Sequence, residues 1–288
     1  MLLALVLALV SASSCQKKEI LFQQGKGEMD YTCTTADGEK TIHLYYYIPE
    51  GDIASMPVQI VMHGMGRNGD GYFNVWVQEA DKYGCILLVP TFSDEQFAEE
   101  SYQQGNILNA EGKFNRKEDM TYTIVDSIFD FFLDHSTSKA KKFNIYGHSA
   151  GAQFVHRYLL FGDPKVDIAV AANSGWYTFP TDTTGFPYGI GNAEEELGID
   201  LADFYAKDMT ILLGDADTLR TSNLRQTPEA DLQGLNRLER GESFYAFCKK
   251  DAEARGVPFN WKKAYVSGSS HSNSKMAPKA AEVIYGEK

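Results

Sequence analysis

Basic residues are in short supply in this sequence: 27 Lys and Arg stand against 39 Asp and Glu among 288 residues, a formal charge of −12. Such a chain repels phosphate backbones and anionic lipid headgroups, which argues against nucleic acid or an acidic membrane surface as partner. Solubility is the plain reading of the charge. Cysteine is scarce too, and Cys15, Cys33, Cys85 and Cys248 show neither a C-x-x-C pair nor Cys/His spacing suited to a metal. Apart from Cys15, the remaining three allow at most one disulfide. Cys85 opens an apolar run, where a thiol packs as a small hydrophobe. The longest apolar run, residues 1–14, is too short to span a bilayer. No internal repeat is present. The length suits one large domain with a well-buried core and excludes two full-sized catalytic ones.

What is present centres on Phe143-Asn144-Ile145-Tyr146-Gly147-His148-Ser149-Ala150-Gly151. A short apolar run enters Gly-His-Ser-Ala-Gly, and residues 152–161 continue as a helix-compatible segment. This is the G-x-S-x-G nucleophile elbow, a serine on a cramped strand-to-helix turn. The plain alternative is a glycine-rich turn, but a strand before and a helix after are the context the motif demands. Gly147 and Gly151 lack a Cβ, so strand and helix can approach while the serine takes a strained conformation. Ser149 is then aimed above the sheet, and the Ala150 N–H, at the start of the helix, points toward a developing oxyanion.

Around the elbow the chain has an α/β rhythm. Residues 41–49 have the composition of an early antiparallel strand. The run 58–62 stops at His63-Gly64-Met65-Gly66, a helix is predicted from 71 or 72 to 82, and 85–90 is again a strand. Strand–helix–strand order indicates a parallel sheet with helical crossovers. Residues 91–118 form a long polar loop with aromatics, of a length that is usually functional or disordered. Residues 118–135 carry Met120, Ile124, Ile128 and Phe131 on one helical face. A sixth strand, 166–172, leads to Asn173-Ser174-Gly175-Trp176-Tyr177. Residues 178–206 read as a small lid or insertion. The next strand, 209–213, stops at Gly214-Asp215-Ala216-Asp217-Thr218. Thr227 and Pro228 open a helix whose buried face is predicted to hold Leu235, Leu238, Tyr245 and Cys248. A strand over 259–266, a Gly/Ser loop with His271, and a helix over 276–285 close the chain.

A serine hydroxyl needs a base within hydrogen-bond reach, itself held by an acid. Of six histidines, His271 alone lies after the late strands. A lone loop histidine is ordinarily a surface residue; the elbow upstream makes it a candidate base. Asp215 and Asp217 both stand just past a strand and compete for the acid's place. His63-Gly64-Met65-Gly66 follows an early core strand, where a second oxyanion donor belongs; Met65 N–H is the candidate, with Gly64 allowing close backbone approach. His63 and His148 read as structural. The same glycines do not form a phosphate loop, since no Gly-Lys-Ser/Thr follows.

Elbow, HGMG loop, GDADT and SSHS in this order resemble an α/β-hydrolase from about Tyr45 onward. Within that superfamily the pattern is similar to polyhydroxybutyrate-depolymerase-like and feruloyl-esterase-like carboxylesterases, including the Asn-Ser-Gly-Trp stretch. The resemblance implies a mostly parallel central sheet flanked by helices, with a triad in the chain order Ser149, Asp217, His271. The Gly214-to-Asp217 spacing favours Asp217, leaving Asp215 to brace the turn. It further implies acyl-enzyme hydrolysis of small-molecule or polymer-linked esters, exogenous or polysaccharide-linked, with neither metal nor organic cofactor. Trp176 and Tyr177, at the edge where open α/β sheets bind ligands, are candidate walls for an aryl or bulky acyl group; the alternative is that they pack the insertion onto the sheet. Rival readings are a serine peptidase of the same fold and a catalytically inactive, ligand-binding lipoprotein.

Residues 1–14 resemble a secretory signal that ends in small residues before Cys15, the pattern of a lipoprotein cleavage site. The expected layout is a signal peptide over 1–14, a polar tether over 15–30 and a catalytic domain over 31–288. The protein would be secreted or held at the cell envelope, touching membrane only through lipid on Cys15.

Overall fold

The structure is a computed structural model that describes residues 19–191 and 193–286; the expected signal segment over 1–14 and Cys15 lie outside the described residues. Eight strands are present among these: β1 (Gly25–Thr35), β2 (Gly38–Ile48), β3 (Val58–Met62), β4 (Ile86–Thr91), β5 (Phe143–His148), β6 (Val166–Ala172), β7 (Asp208–Gly214) and β8 (Lys262–Val266). They form one sheet in the order β1-β2-β4-β3-β5-β6-β7-β8. The β1–β2 and β2–β4 pairs are antiparallel, and every pair from β4–β3 to β7–β8 is parallel. The helices are α1 (Gly69–Tyr83), α2 (Glu99–Tyr102), α3 (Tyr122–Asp134), α4 (Ala150–Phe161), α5 (Ala193–Glu196), α6 (Leu201–Ala206), α7 (Pro228–Asp231), α8 (Arg237–Arg255) and α9 (Asn273–Tyr285).

The central strands are short apolar runs because both faces are covered, as parallel sheets require. β3 is buried at all its positions. Trp76 and Ala80 of α1 and Met276, Ala280 and Ile284 of α9 pack on one face. The other face is covered by α3, α4 and α8 through residues such as Ile128, Phe154 and Phe244. Every parallel strand therefore ends at the same edge, and the loops leaving β3, β5, β7 and β8 meet there.

Two expectations are corrected. The tether does not extend to residue 30. Phe22 is buried against Tyr46, Phe131 and Phe132, and from Gly25 the chain is paired with β2 along its length. β1 carries mostly polar side chains because it is an edge strand, and its order comes from cross-strand backbone hydrogen bonds. The helix opening at Thr227 is also interrupted. Thr227 does cap α7, but the chain turns at Gly234 (φ +145°) and starts again at the Asn236 cap of α8. Leu235 falls in the break and is exposed.

Candidate active site

Ser149 sits between β5 and α4 with φ 58° and ψ −114°, a conformation that costs a non-glycine residue about 1–3 kcal/mol. The surroundings enforce it. A side chain on Gly147 would strike the carbonyl of Gly151, and one on Gly151 would strike the carbonyls of Met62 and His63 at the end of β3. The Ser149 N–H is held by the Ala172 carbonyl at 3.0 Å. The elbow is thus clamped by the strands on both sides of β5.

His271 Nε2 lies 2.9 Å from Ser149 Oγ, and His271 Nδ1 lies 2.7 Å from Asp217 Oδ2. Asp217 is 2% exposed, so it acts on the imidazole rather than on solvent. An ionised carboxylate only accepts, so Nδ1 carries the proton and Nε2 presents a lone pair to the serine hydroxyl. Asp215 braces the turn: its Oδ1 accepts from Gly268 N–H at 2.7 Å. The two loops are joined again by Ala216 N–H to the Ser269 carbonyl at 3.0 Å. Asn173 completes the frame, accepting from Gly214 N–H at 2.7 Å and donating to the Ser270 carbonyl at 3.2 Å.

Gly64, Met65, Tyr72, Ser149, Arg237 and His271 share the lining of a cavity of about 300 Å³. A side chain on Gly64 would come within 3.7 Å of Ser149 Cβ, so the HGMG loop reaches Ser149. Ala150 opens α4, where first-turn amides lack intrahelical acceptors. A second cavity of about 250 Å³, lined by Leu219 and Thr221, adjoins the first across Asn223, Arg237 and His271.

His63 braces the HGMG loop from beneath. Its Nε2 accepts from Phe92 N–H at 2.9 Å, which leaves Nδ1 to donate to the Gly64 carbonyl at 2.9 Å. Burial lowers its pKa to about 4, so the ring is neutral. Tyr102, from the long 91–118 loop, stacks on His63 and donates to its carbonyl at 2.7 Å. That loop therefore serves as scaffold. His148 is also buried and held well below the ordinary histidine range by burial, then by the fields of His271 and Arg237.

This geometry agrees with what the chain resembles among solved structures. Poly(aspartic acid) hydrolase-1 from Sphingomonas sp. KT-1 is 35% identical, covering 92% of this chain and 100% of its own, with a TM-score of 0.85. The chain belongs to the α/β-hydrolases. A poly(3-hydroxybutyrate) depolymerase from Bordetella parapertussis is 32% identical over 91% of this hydrolase and 90% of its own chain, also at TM-score 0.85. An S-formylglutathione hydrolase from Staphylococcus aureus, 15% identical over 91% and 98% at TM-score 0.54, shares the fold alone. No protein-family model and no curated protein matches the sequence.

Trp176 and Tyr177 are not brought to the cleft. Both are buried in the hydrolase core, and neither lines the two cavities beside His271. Trp176 lies under the guanidinium groups of Arg157 and Arg225, 4.1 and 4.9 Å from its ring centre. Tyr177 stacks on Phe244 at 4.3 Å, and its N–H and carbonyl are both bonded to the Gln233 amide. They face inward because the chain turns at Asn173 (φ 46°) directly after β6. The described residues of 178–206 line neither cavity.

Arg237 was not legible in the sequence, where it reads as one more charge on a helix. It is 3% exposed, with Nη1 3.6 Å from Asp217 Oδ1, the oxygen that His271 leaves free. Burial lowers its pKa while Asp217 opposes that shift. No local pattern marks it, since its partner lies on a different loop.

Proposed function

We propose that this hydrolase cleaves carboxylic esters through an acyl-enzyme intermediate, acting on exogenous or polymer-linked esters. The observation that carries the reading is the continuous path from Asp217 through His271 to Ser149, at 2.7 and 2.9 Å. His271 Nε2 takes the Ser149 proton as Oγ attacks the carbonyl carbon. The oxyanion accepts hydrogen bonds from Met65 and Ala150 N–H, where fixed dipoles stabilise charge without reorganisation. Collapse expels the alcohol, which receives the proton from His271. Water then repeats the sequence on the acyl-enzyme, releasing the acid and restoring the serine. Asp217 holds the ring and stabilises the imidazolium throughout.

Two observations support an extended substrate: the adjoining cavities that share His271 in their lining, and two relatives over 30% identical that are both named for polymers. One of those polymers, poly(aspartic acid), is joined by amides, which keeps amide cleavage as the second reading. Fluorophosphonate labelling with turnover of p-nitrophenyl esters and matched anilides tests both. Ester turnover is expected to exceed anilide turnover, and Ser149→Ala and His271→Ala to lose roughly 10³-fold or more in kcat. A Ser149→Ala variant with wild-type ester turnover would refute the assignment; faster anilide than ester cleavage would favour the amide reading.

A further inference from the structure

We propose that the Tyr72 phenol is a third donor to the oxyanion, oriented for that role by His148. The inference rests on the acyl-transfer reading above.

Tyr72 projects from the first turn of α1, is 6% exposed and lines the same cavity as Ser149 and Met65. The position that a Cβ on Gly64 would occupy is 2.6 Å from Tyr72 Oη and 3.7 Å from Ser149 Cβ. The phenol oxygen and Ser149 therefore both lie within 4 Å of one point of the HGMG loop, facing one cavity. Tyr72 Oη is 2.9 Å from His148 Nδ1.

The direction of that hydrogen bond follows from the other ring nitrogen. His148 Nε2 is buried and has no hydrogen-bond partner among the described residues. A proton on Nε2 would be an orphaned buried N–H, which costs more than an unpaired lone pair at the same atom. The neutral ring therefore carries its proton on Nδ1 and donates it to Tyr72 Oη. The phenol oxygen accepts, and its own proton is left to donate into the cleft. Burial raises the pKa of Tyr72, with the Gly64 backbone amide opposing, so the phenol stays protonated and serves as a donor rather than a base. The His148 ring also lies 4.6 Å from His271. A second positive charge beside the imidazolium formed in the reaction would be unfavourable, so His148 remains neutral through the cycle.

Tyr72→Phe in the full chain removes the donor and keeps the ring. Loss of one oxyanion donor out of two costs about 10²–10³ in kcat in such sites, so loss of one out of three is expected to cost roughly 10–100-fold, with KM little changed. Affinity for a trifluoromethyl ketone, which forms a tetrahedral adduct on Ser149, should fall by the same factor. Affinity for a carboxylate product should not. His148→Asn, whose amide can still donate to Oη, should keep most of the rate, while His148→Ala should lose as much as Tyr72→Phe. Combining His148→Ala with Tyr72→Phe should add nothing. Wild-type kcat in Tyr72→Phe, or a slower variant that binds the ketone as tightly as wild type, would overturn the proposal. A wild-type chain that neither reacts with fluorophosphonate nor hydrolyses esters would remove the acyl-transfer reading and this inference with it; an active wild type matched by Tyr72→Phe removes the inference alone.

Discussion

The loops that leave β6 and β7 begin alike and end in different roles. Each follows a buried strand to the same edge of the sheet, and each starts with residues that a sequence reader would place at a binding site. After β7, Asp217 meets His271 at 2.7 Å, and His271 in turn meets Ser149 at 2.9 Å. After β6, Asn173 turns the chain inward, and Trp176 ends beneath two guanidiniums. The arginines differ in the same way. Arg237 is near the Asp217 carboxylate, at 3.6 Å. Arg157, fully buried and lowered to about 9 by burial, has no paired carboxylate among the described residues and instead donates to Thr178 Oγ1 and the Gln103 carbonyl. Position at the edge of a sheet thus supplies the opportunity for chemistry. The direction in which the next few residues turn decides between site and scaffold.

The sharpest way to break this comparison is to exchange the acids. Asp217→Asn should lower kcat by about 10⁴-fold, because the amide no longer selects the Nδ1–H tautomer. Asp215→Asn retains an oxygen for Gly268 N–H and should cost less than about tenfold. Steady-state rates on one activated ester suffice, and the reverse ranking would exchange the two roles.

Next in size is the loop after β6. Trp176→Ala removes a buried ring from between charged groups and should destabilise the fold by about 3–5 kcal/mol. If Trp176 is scaffold, kcat/KM for feruloyl and acetyl esters should change by the same factor while the melting temperature falls. Selective loss of feruloyl turnover at unchanged stability would return the ring to the substrate pocket.

The smallest effect concerns the brace under the HGMG loop. His63 has a folded pKa of about 4 against 6.5 for the free side chain, so above pH 6.5 its charge does not affect folding. As the pH falls from 6.5 toward 4 the unfolded chain takes up the proton first, and the native state loses about 3 kcal/mol from this residue. Below the folded pKa the loss stops growing. His63→Asn should be less stable at pH 7 yet lose less between pH 7 and pH 4.5 than wild type, measured by urea unfolding at each pH. Equal losses in both proteins would place the acid sensitivity elsewhere.

The features that the sequence by itself determined are those whose physics is local. Glycines at 147 and 151 mark a turn that side chains would block, apolar runs of five to seven residues mark strands covered on both faces, and chain order separates His271 from five other histidines. Tertiary structure gave the physical ground for Asp217 over Asp215, which the Gly214-to-Asp217 spacing favours by resemblance: both occupy one turn and differ in whether His271 or Gly268 N–H is within reach. It alone ordered the chain from Leu21 to Asp30, where polar residues gain their conformation from β2 and Phe22 from α3. It alone turned Trp176 inward and set Arg237 beside the acid. Those outcomes depend on partners tens of residues away, and a buried charge or an aromatic ring has the same spelling in a sequence whether it meets substrate or core.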